Sequence, residues 1–264
     1  MKLPTWFVSH GGGPWPWLDG EFRRQFDTLD ASLKDIARNI GPKPRAILVI
    51  SGHWETERFT VQSAERPGMV YDYGGFPPHT YSIHYSSPGA PDVARRVEAL
   101  LREAGIPVEH DDQRGYDHGT FAPLYAMYPE ANVPVLQLSI KSTFDPEEHL
   151  ALGRALAPLR DEGVVILASG LSYHNLRLFG AAARVPSEAF DTWLDQALKL
   201  PPVERSQALR EWDHAPSARV AHPREDHFIP LLVAVGAAEQ DTAQRVYHER
   251  GFMGGVTASS YRFG

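Results

Sequence analysis

Two features of the sequence predict an α/β fold with a central, mostly parallel or mixed sheet flanked by helices. Apolar runs of strand length, at Leu3–Val8, Ile47–Ile50, Val133–Ile140 and Val164–Ala168, alternate with longer segments of helical periodicity. Such alternation builds a sheet covered by helices. One pattern also recurs: a helical segment, a glycine, a buried strand, then Ser-Gly shortly before a histidine. It occurs at Ser51-Gly52-His53 and again at Ser169-Gly170 ahead of His174. The carboxyl edge of such a sheet is where α/β proteins bind ligands. The length of 264 residues makes one domain, 1–264, the expectation.

Taken in order, Leu3–Val8 reads as a strand running into Ser9-His10 and the flexible Gly11-Gly12-Gly13. Trp15 and Trp17 flank Pro16 in a stiff aromatic loop that serves either as a wall of a substrate pocket or as a lid over the sheet edge. From Asp19 the apolar residues Phe22, Phe26, Leu29, Leu33, Ile36 and Ile40 recur at intervals of four and three, which predicts one helix ended by Gly41 and Pro42. Ala46–Ile50 is a buried strand that delivers His53 to a sharp turn, and Arg58–Ser63 a short strand leading away. The Gly and Pro pairs between Asp72 and Tyr81 predict a long ordered loop. Its His79, and His84 beyond it, have weaker local contexts than His53.

Pro91–Glu103 reads as a helix stopped near Gly105, and Val108 begins a short strand. His118 lies in Gly115-Tyr116-Asp117-His118-Gly119, a tight loop before a helical segment reaching Tyr128. Pro146–Arg160 is a helix whose last turn Pro158 disturbs. Ser187–Leu198 and Val203–Asp213 are helices separated by Pro201-Pro202. Ala215–Pro223 is a loop, and Arg224–Ala237 holds a helix beginning near His227. The alternation over Val256–Phe263, with Tyr247 before it, predicts terminal strands that are antiparallel at a sheet edge.

Composition excludes several functions. The formal charge of -7, from 26 basic and 33 acidic residues, offers no attraction to nucleic acid or anionic lipid. With no cysteine, a metal site must use imidazole, carboxylate or backbone oxygen. No run reaches the roughly 18 apolar residues of a membrane span, so a cytoplasmic protein is expected. Neither Ser9 nor Ser51 lies in a GxSxG elbow, which weakens a serine hydrolase reading.

Of twelve histidines, His10, His53, His118, His174 and His227 have the sharp backbone contexts expected of functional groups, whereas His110, His149 and His248 do not. Neutral imidazoles offer in-plane lone pairs to a divalent metal, and a carboxylate adds charge compensation suited to ferrous iron. Spacing alone leaves the metal open, as it leaves open the alternative of unrelated core and surface histidines.

The ordered set Ser9-His10-Gly11, Ser51-Gly52-His53-Trp54, Asp72-Tyr73-Gly74-Gly75-Phe76-Pro77, Gly115-Tyr116-Asp117-His118-Gly119, Val135-Leu136-Gln137-Leu138-Ser139-Ile140, Ser169-Gly170-Leu171-Ser172-Tyr173-His174-Asn175-Leu176 and Glu225-Asp226-His227-Phe228-Ile229-Pro230-Leu231 resembles the DOPA-dioxygenase-like branch of the class III, LigB-like extradiol ring-cleavage dioxygenases. The resemblance spans nearly the whole chain. It implies a LigB-like α/β fold, bound non-haem Fe(II) with Zn(II) as a second candidate, and insertion of dioxygen into a catechol ring beside its two hydroxyls. Carried onto this chain, it implies His10, His53 and His227 as core metal ligands. It implies His174 as acid/base and as a further metal contact when substrate is absent, and His118 as a second pocket histidine. Other class III enzymes place a carboxylate at the third ligand position, and Glu225 and Asp226 stand beside His227. Gly11-Gly12-Gly13 departs from the His-Gly-Ser-Pro wording common in the branch. Tyr116, Trp15 and Trp17 are candidates to hold an aromatic substrate, with core packing as their competing role. The expected partners are a small catechol and dioxygen; the oligomeric state is not legible. A zinc-dependent hydrolase and a non-catalytic metal- or catechol-binding protein are the alternative functions.

Overall fold

The computed structural model describes residues 2–41 and 43–264, so the Pro42 half of the predicted helix stop lies outside the described residues. In chain order the strands are β1 (Thr5–Ser9), β2 (Ala46–Thr56), β3 (Phe59–Gln62), β4 (Val108–Asp111), β5 (Val135–Lys141), β6 (Val164–Gly170), β7 (Ala243–Phe252) and β8 (Val256–Phe263). They form one mixed sheet in the order β4-β3-β5-β2-β6-β1-β8-β7. The central strands β5, β2, β6 and β1 are parallel to one another, while β3 joins β5 and β8 joins β1 in antiparallel sense. The β7–β8 hairpin at one edge is antiparallel, as the terminal alternation predicts. Ala46 through Ile50 are fully buried, the signature of a parallel strand covered on both faces.

The helices are α1 (Gly20–Arg24), α2 (Asp27–Ile40), α3 (Pro91–Glu103), α4 (His118–Met127), α5 (Pro146–Leu156), α6 (Arg184–Leu198), α7 (Pro202–Arg210), α8 (Ala218–Ala221) and α9 (Ile229–Ala237). They flank the sheet. The wholly apolar α9 lies against β1, β2 and β6 with α5 beside it, α4 lies against β2 and β6 with α2 beside it, and α6 covers β8 and β7. None of the described helices is long and apolar enough to cross a membrane.

The segment Ala215–Pro223, read as a loop, contains the short α8, and three further differences from the sequence reading each have a local reason. The helix predicted from Asp19 to Ile40 is broken at Gln25-Phe26, because Phe26 leaves helical geometry (φ -108, ψ 9) to bury its ring against Trp15 and Phe252. Phe26 stays on the apolar stripe, so periodicity could not reveal the break. The last predicted helix begins at Ile229 rather than near His227, and residues 224–228 form the turn that carries His227. Most consequential for the site, β2 does not turn at Ser51 but continues to Thr56, with an irregularity in its register against β5 between Ile50 and Glu55. His53 therefore sits within a strand extension. Pro158 ends α5 as expected, the chain tightening into a 3₁₀ turn at Ala157–Arg160.

One histidine whose local sequence gave no sign of function is a structural element. His149 is fully buried; its Nδ1 donates to the Asp145 carbonyl at 2.7 Å and its Nε2 accepts from the Lys141 amide at 3.1 Å. Burial pulls its pKa from 6.5 to about 4. Between those values the unfolded chain holds the extra proton, so stability is lost as pH falls through this window and levels off below it. The full effect is on the order of 3 kcal/mol. Urea unfolding across the window should show midpoints falling with pH, and the slope should be shallower in His149→Leu. An unchanged slope in that variant would assign the acid sensitivity elsewhere.

Candidate metal centre

The ends of β1, β2 and β6 place the histidines on one side of the sheet. β1 runs directly into His10, whose amide donates to the Gly170 carbonyl at the end of β6 (3.2 Å). β6 is tied in turn to the third segment, the Leu171 amide donating to the His227 carbonyl at 3.0 Å. These approaches need glycine: a Cβ at Gly170 would lie 2.1 Å from the His227 carbonyl oxygen, and one at Gly52 would lie 2.7 Å from that of Asp226. The Ser-Gly pairs that recur in the sequence thus let the extension of β2 and the end of β6 close on the turn bearing His227.

His10, His53 and His227 each offer a nitrogen, and these atoms lie within 4.8 Å of one another. The Nε2 atoms of His53 and His227 face each other across 3.1 Å. Their Nδ1 atoms point away, to Asp72 from His53 (3.1 Å) and to Asp226 from His227 (2.9 Å). Among the described residues, neither ring nitrogen of the buried His10 has a hydrogen-bond partner. Two unpaired buried polar atoms on one ring are costly unless something else uses them. Burial, reinforced by the neighbouring imidazoles, holds the pKa values of His10 and His227 well below the usual histidine range. His53 differs: burial opposes its charge, but the hydrogen bond and charge of Asp72 outweigh it and raise the pKa. Converging ring nitrogens, two of the rings steadied by a carboxylate behind them, fit a divalent cation, which would displace any proton that His53 holds on Nε2.

His174 stands beside this trio. Its ring stacks on that of His227 (centroids 3.4 Å apart, planes at 19°), and with Asp226 and His227 it forms a second group of converging ligand atoms. Its Nδ1 lies 3.9 Å from Asp226 Oδ1. Burial and the facing imidazoles of His53 and His118 pull its pKa to about 3, so the ring is neutral at pH 7. The loop holding it is fixed by His174 N to the Ala221 carbonyl (2.9 Å) and by His222 Nε2 to the Ser172 carbonyl (3.1 Å). His118, buried at the start of α4, lies 4.0 Å from His53 between ring centroids.

The aromatic candidates are placed differently from one another. Trp15 is fully buried, stacks on Phe26 and donates from Nε1 to the His10 carbonyl at 2.8 Å, so it braces the His10 loop instead of lining a pocket. Tyr116 is also fully buried, and its hydroxyl donates to the Val135 carbonyl at 2.9 Å; for both rings this favours the packing role over the pocket role. Tyr116→Phe should cost about 1–3 kcal/mol of stability by leaving that carbonyl short of a donor, with substrate KM unchanged. A raised KM without lost stability would restore it to the pocket. Trp17 is part-exposed and packs on Tyr125 and Phe121. His79 Nε2 lies 3.1 Å from the Trp17 carbonyl, joining the loop 72–81 to the turn of Trp17, while His84 is exposed.

Sequence reasoning assigned no individual role to Asp72 and Tyr73. Asp72 contacts both His53 and His118, and Tyr73 sets its ring 5.7 Å from His118 and 6.3 Å from Phe121. The density of aromatics over Tyr71–Tyr81 was the available signal for the wall. Of the two acidic candidates beside His227, Asp226 holds its Nδ1, whereas Glu225 pairs with Arg219 at 2.6 Å.

The family model described as the catalytic LigB subunit of aromatic ring-opening dioxygenase matches residues 5–264. The chain is 40% identical over 263 residues to a 4,5-DOPA dioxygenase extradiol of Beta vulgaris, covering 98% of this chain and 96% of that one. It is 35% identical over 269 residues to the protein of the same name from Escherichia coli (strain K12), covering 100% and 95%. A crystal structure of an Escherichia coli K12 protein described as uncharacterized superposes with a TM-score of 0.79 at 31% identity, each chain covered in full. With the match running from β1 to the last residue, the chain belongs to the LigB family of aromatic ring-opening dioxygenases.

Proposed function

We propose that this protein is an extradiol dioxygenase that opens catecholic, DOPA-like rings with molecular oxygen. The observation that carries the reading within the family is the buried trio His10, His53 and His227, with its converging nitrogens and the unpartnered ring of His10. These three residues would hold the metal. Ferrous iron bound there supplies the electron transfer between catechol and dioxygen that the side chains cannot.

The chain's own residues do the rest. His174, neutral and at the rim of the trio, accepts a phenolic proton from the substrate and returns it when the ring opens. A base held near 3 gives up its proton readily but gains it only with help, and Asp226 is the carboxylate placed to offset the imidazolium as it forms. His118 presents a second imidazole to the same space, and the part-exposed Tyr73, backed by the buried Phe121, offers its ring to an aromatic substrate.

The test is anaerobic loading with ferrous iron, followed by oxygen uptake and mass spectrometry of products from a panel of catechols. One dioxygen consumed per ring-opened product supports the reading. Turnover of an ester or amide by the zinc-loaded protein, with no oxygen uptake after iron loading, would overturn it in favour of a hydrolase. Tight metal binding without either activity would leave a binding protein.

A further inference from the structure

One carboxylate outside the proposed ligand set touches two of the site's histidines. Asp72 comes from the aromatic loop, not from the sheet; the residue is exposed, but its side chain is turned inward and only 19% accessible. Its Oδ1 lies 2.7 Å from His118 Nδ1 and accepts from the His118 amide at 3.1 Å, while its Oδ2 lies 3.1 Å from His53 Nδ1. Each oxygen therefore serves one ring. An ionised carboxylate only accepts hydrogen bonds, so both Nδ1 atoms must carry the proton, and in the neutral rings that bind a metal or substrate the lone pair is then on Nε2.

From this geometry we propose that Asp72 is a positioning residue that sets the tautomers of His53 and His118 together, aiming one lone pair at the metal and the other at substrate or dioxygen. The inference rests on the metal-centre reading above. It also gives the loop a chemical role, since the segment that brings Tyr73 and Phe76 over the site carries the group that prepares two of the site's imidazoles. The backbone behind the pair is held independently. Asp117, fully buried, accepts from Ser51 Oγ (2.8 Å), Gln137 Nε2 (2.7 Å), Arg114 (3.1 Å) and the Thr120 amide (3.1 Å), and Arg114 also donates to the His53 carbonyl (3.2 Å). Asp72→Asn, which keeps an oxygen for the His118 amide, should therefore alter the ring contacts with little movement of the main chain.

Asp72→Asn tests this, because an amide offers one acceptor and one donor where two acceptors are needed. Competition titration with Zn2+ against a chromogenic chelator should show an affinity about 10–100-fold lower than wild type, the usual cost of losing a carboxylate behind a metal-bound histidine. Nitrogen-detected NMR of the histidine rings in the Zn2+-loaded wild-type protein should report the Nδ1–H tautomer for both His53 and His118. An Nε2–H tautomer for His118 in the wild type overturns the proposal even if the variant does not fold, as does unchanged Zn2+ affinity in a folded Asp72→Asn protein. Both readouts are independent of ring cleavage. If wild-type protein binds no Zn2+ at the histidines, the metal-centre reading itself has failed; if it binds Zn2+ and Asp72→Asn matches it, only the role of Asp72 has.

Discussion

His10→Ala should yield a folded protein that no longer retains metal. His10 is the proposed ligand with the least else to do: its side chain is buried, both nitrogens lack partners and its backbone is held by the Gly170 and Trp15 contacts regardless of the side chain. Removing a direct ligand must cost more than the about 10–100-fold in affinity that loss of a supporting carboxylate costs. Metal content after dialysis should fall to near zero, and ring cleavage with it. Stability should separate this from misfolding. Alanine leaves a cavity, but it also removes two unsatisfied buried nitrogens, and each such penalty is about 1–3 kcal/mol, so the metal-free variant should melt close to metal-free wild type. Adding Zn2+ should then raise the melting temperature of wild type only, since a ligand at about 100 times its dissociation constant stabilises by about 2.7 kcal/mol. Equal stabilisation of both proteins by Zn2+ would remove His10 from the metal centre.

How far the sequence could be read follows from what each residue's neighbours contribute. Buried parallel strands announce themselves as unbroken apolar runs, so β2, β5 and β6 were legible, and the order of helix and strand carried the fold class. Glycines beside His53 and His174 were legible as tight points, although not their purpose, which is to admit the backbone carbonyls of Asp226 and His227 from a segment more than 50 residues later. The break at Phe26 was hidden because a residue can leave the helix and stay on its apolar stripe. The roles of Trp15 and Tyr116 stayed open for a related reason. An aromatic beside a functional histidine has the same local sequence whether its polar atom faces substrate or, as here, the His10 and Val135 carbonyls. Asp72 lay beyond sequence reasoning because its meaning depends on His53 and His118, 19 residues before it and 46 after it, arriving at opposite oxygens of one carboxylate.

His174→Ala should separate chemistry from metal binding. A general acid/base contributes about 10²–10⁴-fold to rate, and the loss should fall on kcat, with iron content near wild type. The geometry supports that division: His174 contacts the trio through the face of His227, while the orientation of His227 is held from its other side by Asp226 at 2.9 Å. Removing the stacked ring uncovers His227 without releasing it. The variant should also bind catechol, because the part-exposed ring of Tyr73 stands on the His118 side of the site. Metal analysis and anaerobic catechol titration beside steady-state kinetics give three independent readings. Loss of metal in parallel with kcat would make His174 a ligand first, requiring its ring to turn out of the stack with His227, whereas normal turnover would leave the proton transfer to His118, the other neutral imidazole facing the same space.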